Sequence, residues 1–231
     1  MLHSTLRVFL SPSKTPERKN AFDMQYGTDT SGIVRVAAMD VASPNYVYAV
    51  YYKASKAEHV HRALQSVPVA HERFTFVDFG SGKGLALMVA AFYPFRRIVG
   101  VEFAADLHRV AKSNLDRFQT PERKCEKVEC VHADAAEWRI PSDPLICYFY
   151  EPFEAPVLTR VVRNLESSYG DSARPILILY HQPPATSILY SEATEKENVI
   201  LQHGIFSRID SWNHKPYLLY AAGLTKEAAS S

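Results

Sequence analysis

The sequence predicts a doubly wound α/β domain: a mostly parallel sheet with helices on both faces and an antiparallel hairpin at its C-terminal end. Three patterns carry this prediction. From residue 74 onward, short runs rich in β-branched and aromatic residues alternate with segments of helical spacing, as in successive βαβ units. A glycine-rich turn, D-F-G-S-G-K-G at 78–84, separates the first such run from the first helical segment. The last two strand-like runs are joined by a short turn, which favours a hairpin at one edge of the sheet.

The elements of this domain follow one another regularly. Strands are predicted at 74–79, 97–103, 127–132, 145–150 and 175–180, and helices at 85–93, 105–118 and 155–169. The hairpin is predicted from strands at 199–209 and 217–223, with its turn around residues 213–216. Crossovers between parallel strands are right-handed, so the helices should cover both faces of the sheet.

An N-terminal extension, residues 1–72, precedes the domain, which we assign to residues 73–231. Residues 1–21 are polar and contain two prolines. Residues 22–32, F-D-M-Q-Y-G-T-D-T-S-G, combine turn formers with two aromatic residues and predict an ordered loop. Further on, the spacing A-x-x-V-x-x-A-L predicts a helix over 55–67, which Pro68 ends.

The composition excludes several classes of protein. With 231 residues, 47% of them hydrophobic and 22% charged, the chain can bury a sizeable core and is not expected to be disordered. Lys and Arg number 26 against 25 Asp and Glu, so no global charge would attract the protein to long nucleic-acid duplexes or anionic membranes. No apolar run approaches the roughly 20 residues that a membrane crossing needs, and the apolar stretch at 6–10 is too short for a secretory signal.

Cysteine and histidine spacing gives no sign of a metal site. The three cysteines form no C-x-x-C pair, and their odd number fits a reducing compartment, so we expect a cytoplasmic protein. His59 and His61 are two residues apart on a predicted helix and would face different directions. No bound metal is therefore expected.

The glycine-rich turn is the strongest functional signal. Ligands of open α/β sheets bind where a strand's carboxyl end, the following turn and a helix N-terminus meet. Glycines there let the backbone approach a ligand without Cβ clashes. The turn is not a P-loop, which would need Gly at Asp78 and Ser or Thr at Gly84, and its third Gly comes one residue too early for G-x-G-x-x-G. The alternative is a tight turn without a ligand.

Two carboxylates extend this candidate site. Glu102 ends the second strand, where an acidic side chain can accept hydrogen bonds from both ribose hydroxyls; the alternative is a surface glutamate. Asp134 follows the third strand and is placed to accept a hydrogen bond from an adenine amino group. It also fits a helix N-cap with Glu137 as its capping-box partner, and both interpretations stay open.

Together these motifs resemble the class I S-adenosyl-methionine-dependent methyltransferases. The resemblance covers about residues 74–224 and consists of D-x-G-x-G-x-G, then V-G-V-E, A-D-A, and an aromatic residue followed by E-P-F. It implies a Rossmann-like, seven-stranded sheet whose last strand is antiparallel. The stretches V-D-F-G-S-G-K-G, Y-P-F-R-R-I-V-G-V-E-F and F-D-x-x-Y-G-x-D-T also resemble an uncharacterised group loosely similar to the disruptor-of-telomeric-silencing histone lysine methyltransferases.

The resemblance implies S-adenosyl-methionine as cofactor and assigns residues to its parts. The methionine part would contact the glycine loop, with Asp78 near its amino group. Glu102 would hold the ribose, and Asp134 and Ala135 the adenine. The loop residues concerned are Gly80, Ser81, Gly82 and Gly84.

The fourth-strand motif departs from the family pattern. Enzymes that methylate exocyclic or amide nitrogens tend to have Asn or Asp, Pro, Pro and an aromatic residue, whereas this chain has Glu151-Pro152-Phe153. A carboxylate there would orient or deprotonate an amine. A lysine acceptor, with an ordinary pKa of about 10.4, must lose its proton first, and Glu151, Tyr26 and His181 are the groups placed to help. Alternatively, Tyr26 only fills a loop and His181 is a core or rim histidine.

The block at 22–32 is predicted to cover the cofactor. Tyr26, Thr28, Asp29 and Thr30 would form a lid on the methionine end, with Asp29 or Tyr26 near a positive group. The alternative is that this segment packs against the sheet edge or makes a dimer contact.

We therefore expect a methyltransferase that uses S-adenosyl-methionine. Its acceptor is a protein side chain or a small molecule, with a protein lysine or other amine as the specific expectation. Two alternatives remain: a nicotinamide-dependent oxidoreductase, which the glycine spacing and the hairpin disfavour, and a catalytically silent methyltransferase-like binding module.

Overall fold

A mixed sheet organises the chain, and the computed structural model describes residues 19–181, 190–202, 204–209 and 217–223. The strands in these residues are β1 Ile33–Val34, β2 Tyr52–Lys53, β3 Thr75–Phe79, β4 Arg97–Glu102, β5 Val128–His132, β6 Leu145–Phe149, β7 Ile176–His181, β8 Ser207–Arg208 and β9 Tyr217–Ala222. The helices are α1 Ala21–Tyr26, α2 Ala57–Ser66, α3 Leu85–Ala90, α4 Ala105–Arg117, α5 Ala155–Asp171 and α6 Tyr190–Leu201.

Seven strands form the main sheet, in the order β5-β4-β3-β6-β7-β9-β8. Strands β3 to β7 pair in parallel, whereas β9 is antiparallel to both β7 and β8. This architecture confirms the predicted doubly wound, Rossmann-like sheet with an antiparallel C-terminal hairpin. Because β4 and β6 lie on opposite sides of β3, the strand order reverses there, which places a ligand crevice at the carboxyl ends of these strands.

The central strands are buried on both faces, as their sequences require. β3 (T-F-V-D-F) and β6 (L-I-C-Y-F) are nearly continuous apolar runs and are buried at every position. Alternate residues enter two cores: Phe76 and Tyr148 pack with α2 and α3, and Val77 and Phe149 pack with α5. α3 (L-A-L-M-V-A), which follows the glycine loop directly, is buried at every position. The end of the loop is therefore fixed in the core.

One predicted strand is much shorter than the sequence suggests. The run at 199–209 is predicted as the first half of the hairpin, and its end does pair with β9: Ser207–Arg208 forms β8, and the Ile209 N–H donates to the Leu219 carbonyl. Val199 and Ile200 belong instead to the end of α6. The preceding residues, S-E-A-T-E-K-E-N, include strong helix formers, and the two β-branched residues are buried on the core side shared with α5. The turn predicted at 213–216 lies outside the described residues.

The predicted loop at 22–32 begins with a helix instead. The side chain of Asn20 accepts a hydrogen bond from the Asp23 backbone N–H, and Gly27 ends α1 in the left-handed conformation at φ 69°.

The helix predicted at 55–67 is confirmed as α2. The helix predicted at 85–93 ends at Ala90, shortly before Pro94, because the residue preceding a proline is disfavoured in helical conformation.

None of the helices in the described ranges combines the length and apolarity that a membrane crossing requires.

Candidate functional site

A cleft opens at the carboxyl ends of β3, β4 and β6, where the strand order reverses. Its empty volume is about 870 Å³ when the space at its mouth is included. The glycine loop, three strand ends and an N-terminal segment line it. Eight of the residues expected at the site converge there: Asp78, Gly80, Ser81, Gly82, Glu102, Asp134, Ala135 and Glu151.

The glycine loop is held between two neighbouring segments. Gly80 and Gly82 have φ values of 76° and 53°, which L side chains rarely adopt. A Cβ at Gly80 would lie 2.2 Å from the Cβ of Pro152, and one at Gly82 would lie 2.3 Å from Cε2 of Tyr52. Glycine is therefore required by contacts on both sides of the loop. Gly84 lies at the start of α3, where a Cβ would face Ala111 rather than the cleft.

Glu102 ties the end of β4 to this loop. Its side chain is buried, with Oε2 accepting a hydrogen bond from the Gly82 N–H at 2.7 Å and Oε1 accepting one from the Ala104 N–H at 2.9 Å. Burial raises the pKa of Glu102 to about 7, although these backbone hydrogen bonds oppose the rise. Because each carboxylate oxygen can accept more than one hydrogen bond, the same group can also bind hydroxyls.

Asp78 is a second buried carboxylate in the cleft. Burial, and then the neighbouring charge of Glu102, raise its pKa well above the ordinary value, and no hydrogen bond from the described part of the chain offsets this rise. A desolvated carboxylate beside another acid is costly to ionise without a positive partner. The pair therefore favours a ligand that brings positive charge to this end of the cleft.

Asp134 is bonded to the N-terminal segment. Its Oδ2 accepts hydrogen bonds from the Ser43 hydroxyl and from Nδ2 of Asn45, the latter at 2.6 Å, and Oδ1 accepts one from the Ala136 N–H at 2.9 Å. Residues 135–137 form a turn and no helix follows, so Asp134 is not the N-cap of a helix with Glu137 as its capping-box partner. Asp134 caps this turn and still lines the cleft together with Ala135.

Residues 43–55, which we call the strap, cross the cleft and were not identified from the sequence. At its start, Asn45 links Asp134 to Arg160, whose guanidinium donates to Oδ1 of Asn45. In its middle, the Tyr48 carbonyl accepts from the Glu154 N–H at 2.9 Å. Near its end, Tyr52 lies against Gly82. The run N-Y-V-Y-A-V-Y-Y at 45–52, dense in aromatic residues within an extension, was the available signal.

Residues 20–31, which we call the knot, lie outside the cleft. The Asp23 carboxylate accepts five hydrogen bonds, from the backbone and side-chain donors of Thr30 and Ser31 and from the hydroxyl of Thr28. Lys83 of the glycine loop donates to the Ser31 carbonyl at 2.8 Å and pairs with Asp29 at 3.2 Å. The knot therefore supports the glycine loop from the side.

The structure does not bring the four predicted lid residues into the cleft. Thr28 and Thr30 are fully buried on Asp23, and Asp29 is paired with Lys83. Tyr26 packs in an aromatic cluster, with its ring centroid 4.9 Å from that of Phe118. None of them is among the lining residues, whereas several residues of the strap are.

Glu151, two residues beyond the end of β6, supplies a further acidic group to the cleft. Glu151 adopts a φ of 49°, a left-handed conformation that is uncommon for a residue other than glycine. It lines the cleft beside Tyr150.

His181 is not a lining residue: its ring packs on Tyr150 with centroids 4.2 Å apart, and burial lowers its pKa to about 4. His181 is therefore uncharged at neutral pH.

Comparisons with known proteins identify the fold. No protein-family model and no curated protein matches this sequence. The structure of the mitomycin 7-O-methyltransferase MmcR superposes with a TM-score of 0.51 at 15% identity, covering 71% of this chain and 52% of MmcR. The pyocyanin biosynthetic protein PhzM superposes with a TM-score of 0.51 at 19% identity, covering 71% of this chain and 54% of PhzM.

The match thus spans about half the length of each of these two proteins, and at this identity it shows the fold alone. The chain has the class I S-adenosyl-methionine-dependent methyltransferase fold. The comparisons give no support to the narrower grouping with the disruptor-of-telomeric-silencing methyltransferases.

Proposed function

We propose that this chain is a methyltransferase that uses S-adenosyl-methionine and methylates an amine, such as a protein lysine. The observation that carries the proposal is the convergence of the glycine loop, Asp78 and Glu102 in one cleft at the reversal point of this fold. These are three of the features that the sequence motifs share with the family.

The cleft residues fit the parts of this cofactor. Asp78 is suited to the positively charged amino group, because its buried carboxylate has no compensating donor in the described residues. Glu102 would accept hydrogen bonds from the ribose hydroxyls while keeping its bonds to Gly82 and Ala104. Asp134 and Ala135 line the end that would take adenine. When bound, the cofactor supplies a methyl group activated by its sulfonium.

Glu151 is the residue that we propose to act on the acceptor. A lysine amine must be deprotonated before it attacks, and a carboxylate can orient the amine and accept its proton. The strained backbone of Glu151 supports this role, since such conformations cluster at functional sites. The strap, by covering the cleft, would limit the access of water. Positioning and water exclusion would then supply most of the rate.

Two measurements test the proposal. Calorimetry should detect binding of S-adenosyl-homocysteine and no binding of a nicotinamide dinucleotide; the reverse result would favour the oxidoreductase alternative.

In the second measurement, the protein is incubated with methyl-labelled cofactor and fractionated lysate, and labelled protein is hydrolysed to find which amino acid carries the methyl group. Label in methyl-lysine supports the amine acceptor, and Glu151→Gln should then slow labelling without weakening cofactor binding. Binding without any transfer would favour the silent module.

A further inference from the structure

Tyr52 is the strap residue that lies on the glycine loop. A Cβ added to Gly82 would be 2.3 Å from Cε2 and 2.5 Å from Cδ2 of its ring. The hydroxyl donates a hydrogen bond to the Thr30 carbonyl at 2.6 Å, and the backbone pairs with Val34. Both anchors belong to the knot or the segment that follows it, so the ring is fixed over the loop.

The position of the cofactor's sulfur follows from its covalent structure, given the proposed function. The sulfonium is bonded to both the ribose and the methionine chain, so it lies between the groups that bind these two parts. Glu102, the proposed ribose ligand, is 2.7 Å from the Gly82 N–H, and Asp78, the proposed amino-group ligand, precedes Gly80 by two residues. The sulfur would therefore lie beside the stretch from Gly80 to Gly82, and the ring of Tyr52, which lines the cleft, lies against Gly82 at one end of this stretch.

The surroundings of this ring favour positive charge. The ammonium of Lys83 already lies over the ring, 5.6 Å from its centroid. Burial, followed by the charges of four carboxylates, raises the pKa of Tyr52 well above the ordinary value, so the phenol stays neutral. The carboxylates concerned are Asp23, Asp29, Glu102 and Asp78. A neutral aromatic ring attracts cations through its π-electrons.

We propose that Tyr52 binds the sulfonium of the cofactor by a cation–π interaction and thereby discriminates between the methylated cofactor and its demethylated product. The inference rests on the proposed function. S-adenosyl-homocysteine carries a neutral thioether in place of the sulfonium, and both molecules carry the same amino group. Their affinity ratio therefore reports on the sulfur and its methyl group and not on the amino group, and Tyr52 would favour release of the product after transfer.

The test measures dissociation constants for S-adenosyl-methionine, S-adenosyl-homocysteine and sinefungin, which has an ammonium at the position of the sulfonium. Tyr52→Leu should weaken the two charged ligands relative to the neutral product by about 5- to 30-fold, the range for a partly to fully desolvated cation–π contact. Tyr52→Phe keeps the ring and should keep the ratio. Tyr46→Leu is the matched control, because Tyr46 is a strap tyrosine that is 46% exposed and outside the cleft lining.

A second series guards against a misfolded leucine variant. Phenylalanine with one, two and three ring fluorines at position 52 keeps the shape of the side chain and weakens its attraction for cations in steps. The logarithm of the affinity ratio should fall in proportion. A ratio that is unchanged in Tyr52→Leu or across the fluorinated series overturns the role of Tyr52. If the unmodified protein binds none of the three ligands, the proposed function itself fails.

Discussion

The carboxylate of Glu102 and the backbone N–H of Gly82 are joined by a hydrogen bond of 2.7 Å, although the two residues are 20 positions apart in the chain. The bond fixes the position of the glycine loop relative to the end of β4. It also places the proposed ribose ligand next to the segment proposed to contact the methionine part. One carboxylate thus shapes the loop and is also the proposed ribose ligand.

Replacing Glu102 by alanine should weaken binding of S-adenosyl-homocysteine by roughly 1.5–3 kcal/mol, the range for hydrogen bonds to a charged group. It should also lower the free energy of unfolding, because the Gly82 and Ala104 N–H groups lose their acceptor. Calorimetry and urea unfolding measure the two effects. Glu129→Ala is the control, since that side chain is 45% exposed and pairs with Arg97 at the surface. Unchanged affinity in the Glu102 variant would remove it from the ribose site.

The stability of the protein without cofactor should depend on the ionisation of Glu102. Its pKa is about 7 in the folded protein, against an ordinary value of 4.5. Below pH 4.5 the group is neutral in both the folded and the unfolded protein, so its ionisation does not lower the free energy of unfolding there. As pH rises from about 4.5 to 7, the unfolded chain releases the proton first, so the free energy of unfolding falls, by on the order of 3 kcal/mol. Asp78, also raised, acts in the same direction.

Urea unfolding at several pH values, compared with Glu102→Gln, isolates this contribution. The glutamine variant cannot ionise and should lack the loss between pH 4.5 and 7. Parallel pH profiles for the two proteins would show that folding does not raise the pKa of Glu102.

Gly82→Ala should abolish cofactor binding. The residue has a φ of 53°, and the added methyl would lie 2.3 Å from the Tyr52 ring, so both the loop and the strap would have to move. Gly170→Ala is the matched change in a different setting, because Gly170 lies in α5 with nothing within 4 Å of an added Cβ. That variant should bind cofactor normally and be more stable by about 0.5–1 kcal/mol. Normal cofactor binding by Gly82→Ala would mean that the close contact between Gly82 and Tyr52 is not needed for binding.

Hydrogen exchange should locate the segment that responds to cofactor. The knot amides are already bonded without cofactor: Thr30 and Ser31 donate to Asp23, and Asp29 donates to Asn114. We therefore expect added S-adenosyl-homocysteine to increase protection at residues 43–55 and to change residues 22–32 little. Protection gained mainly at 22–32 would restore the lid that the sequence suggests.

The strap and the knot show which features of the site cannot be predicted from the sequence. Residues 22–32 carry a dense set of polar and aromatic side chains, and this composition predicts a ligand-binding lid. The same side chains in fact satisfy one another around Asp23. The hydrogen bond from Asn45 to Asp134 joins residues 89 positions apart, and nothing in the local pattern of either residue indicates its partner.

The strand predicted at 199–209 begins too early for a related reason. An apolar run of a few residues suits a buried strand and the buried face of a helix equally well, and periodicity alone does not separate them. Packing of Val199 and Ile200 in the core beside α5 decides the matter in favour of α6.

The sequence by itself determined the alternation of strands and helices, the glycine turn and the carboxylates at three strand ends. Each of these depends on periodicity or turn chemistry within a few neighbouring residues, and parallel strands necessarily bring their carboxyl ends to one edge of the sheet. Only the tertiary structure decided what covers that edge. The strap reaches Gly82 and Asp134 through a few contacts between residues that are distant in the sequence, and such contacts leave no repeating pattern along the chain.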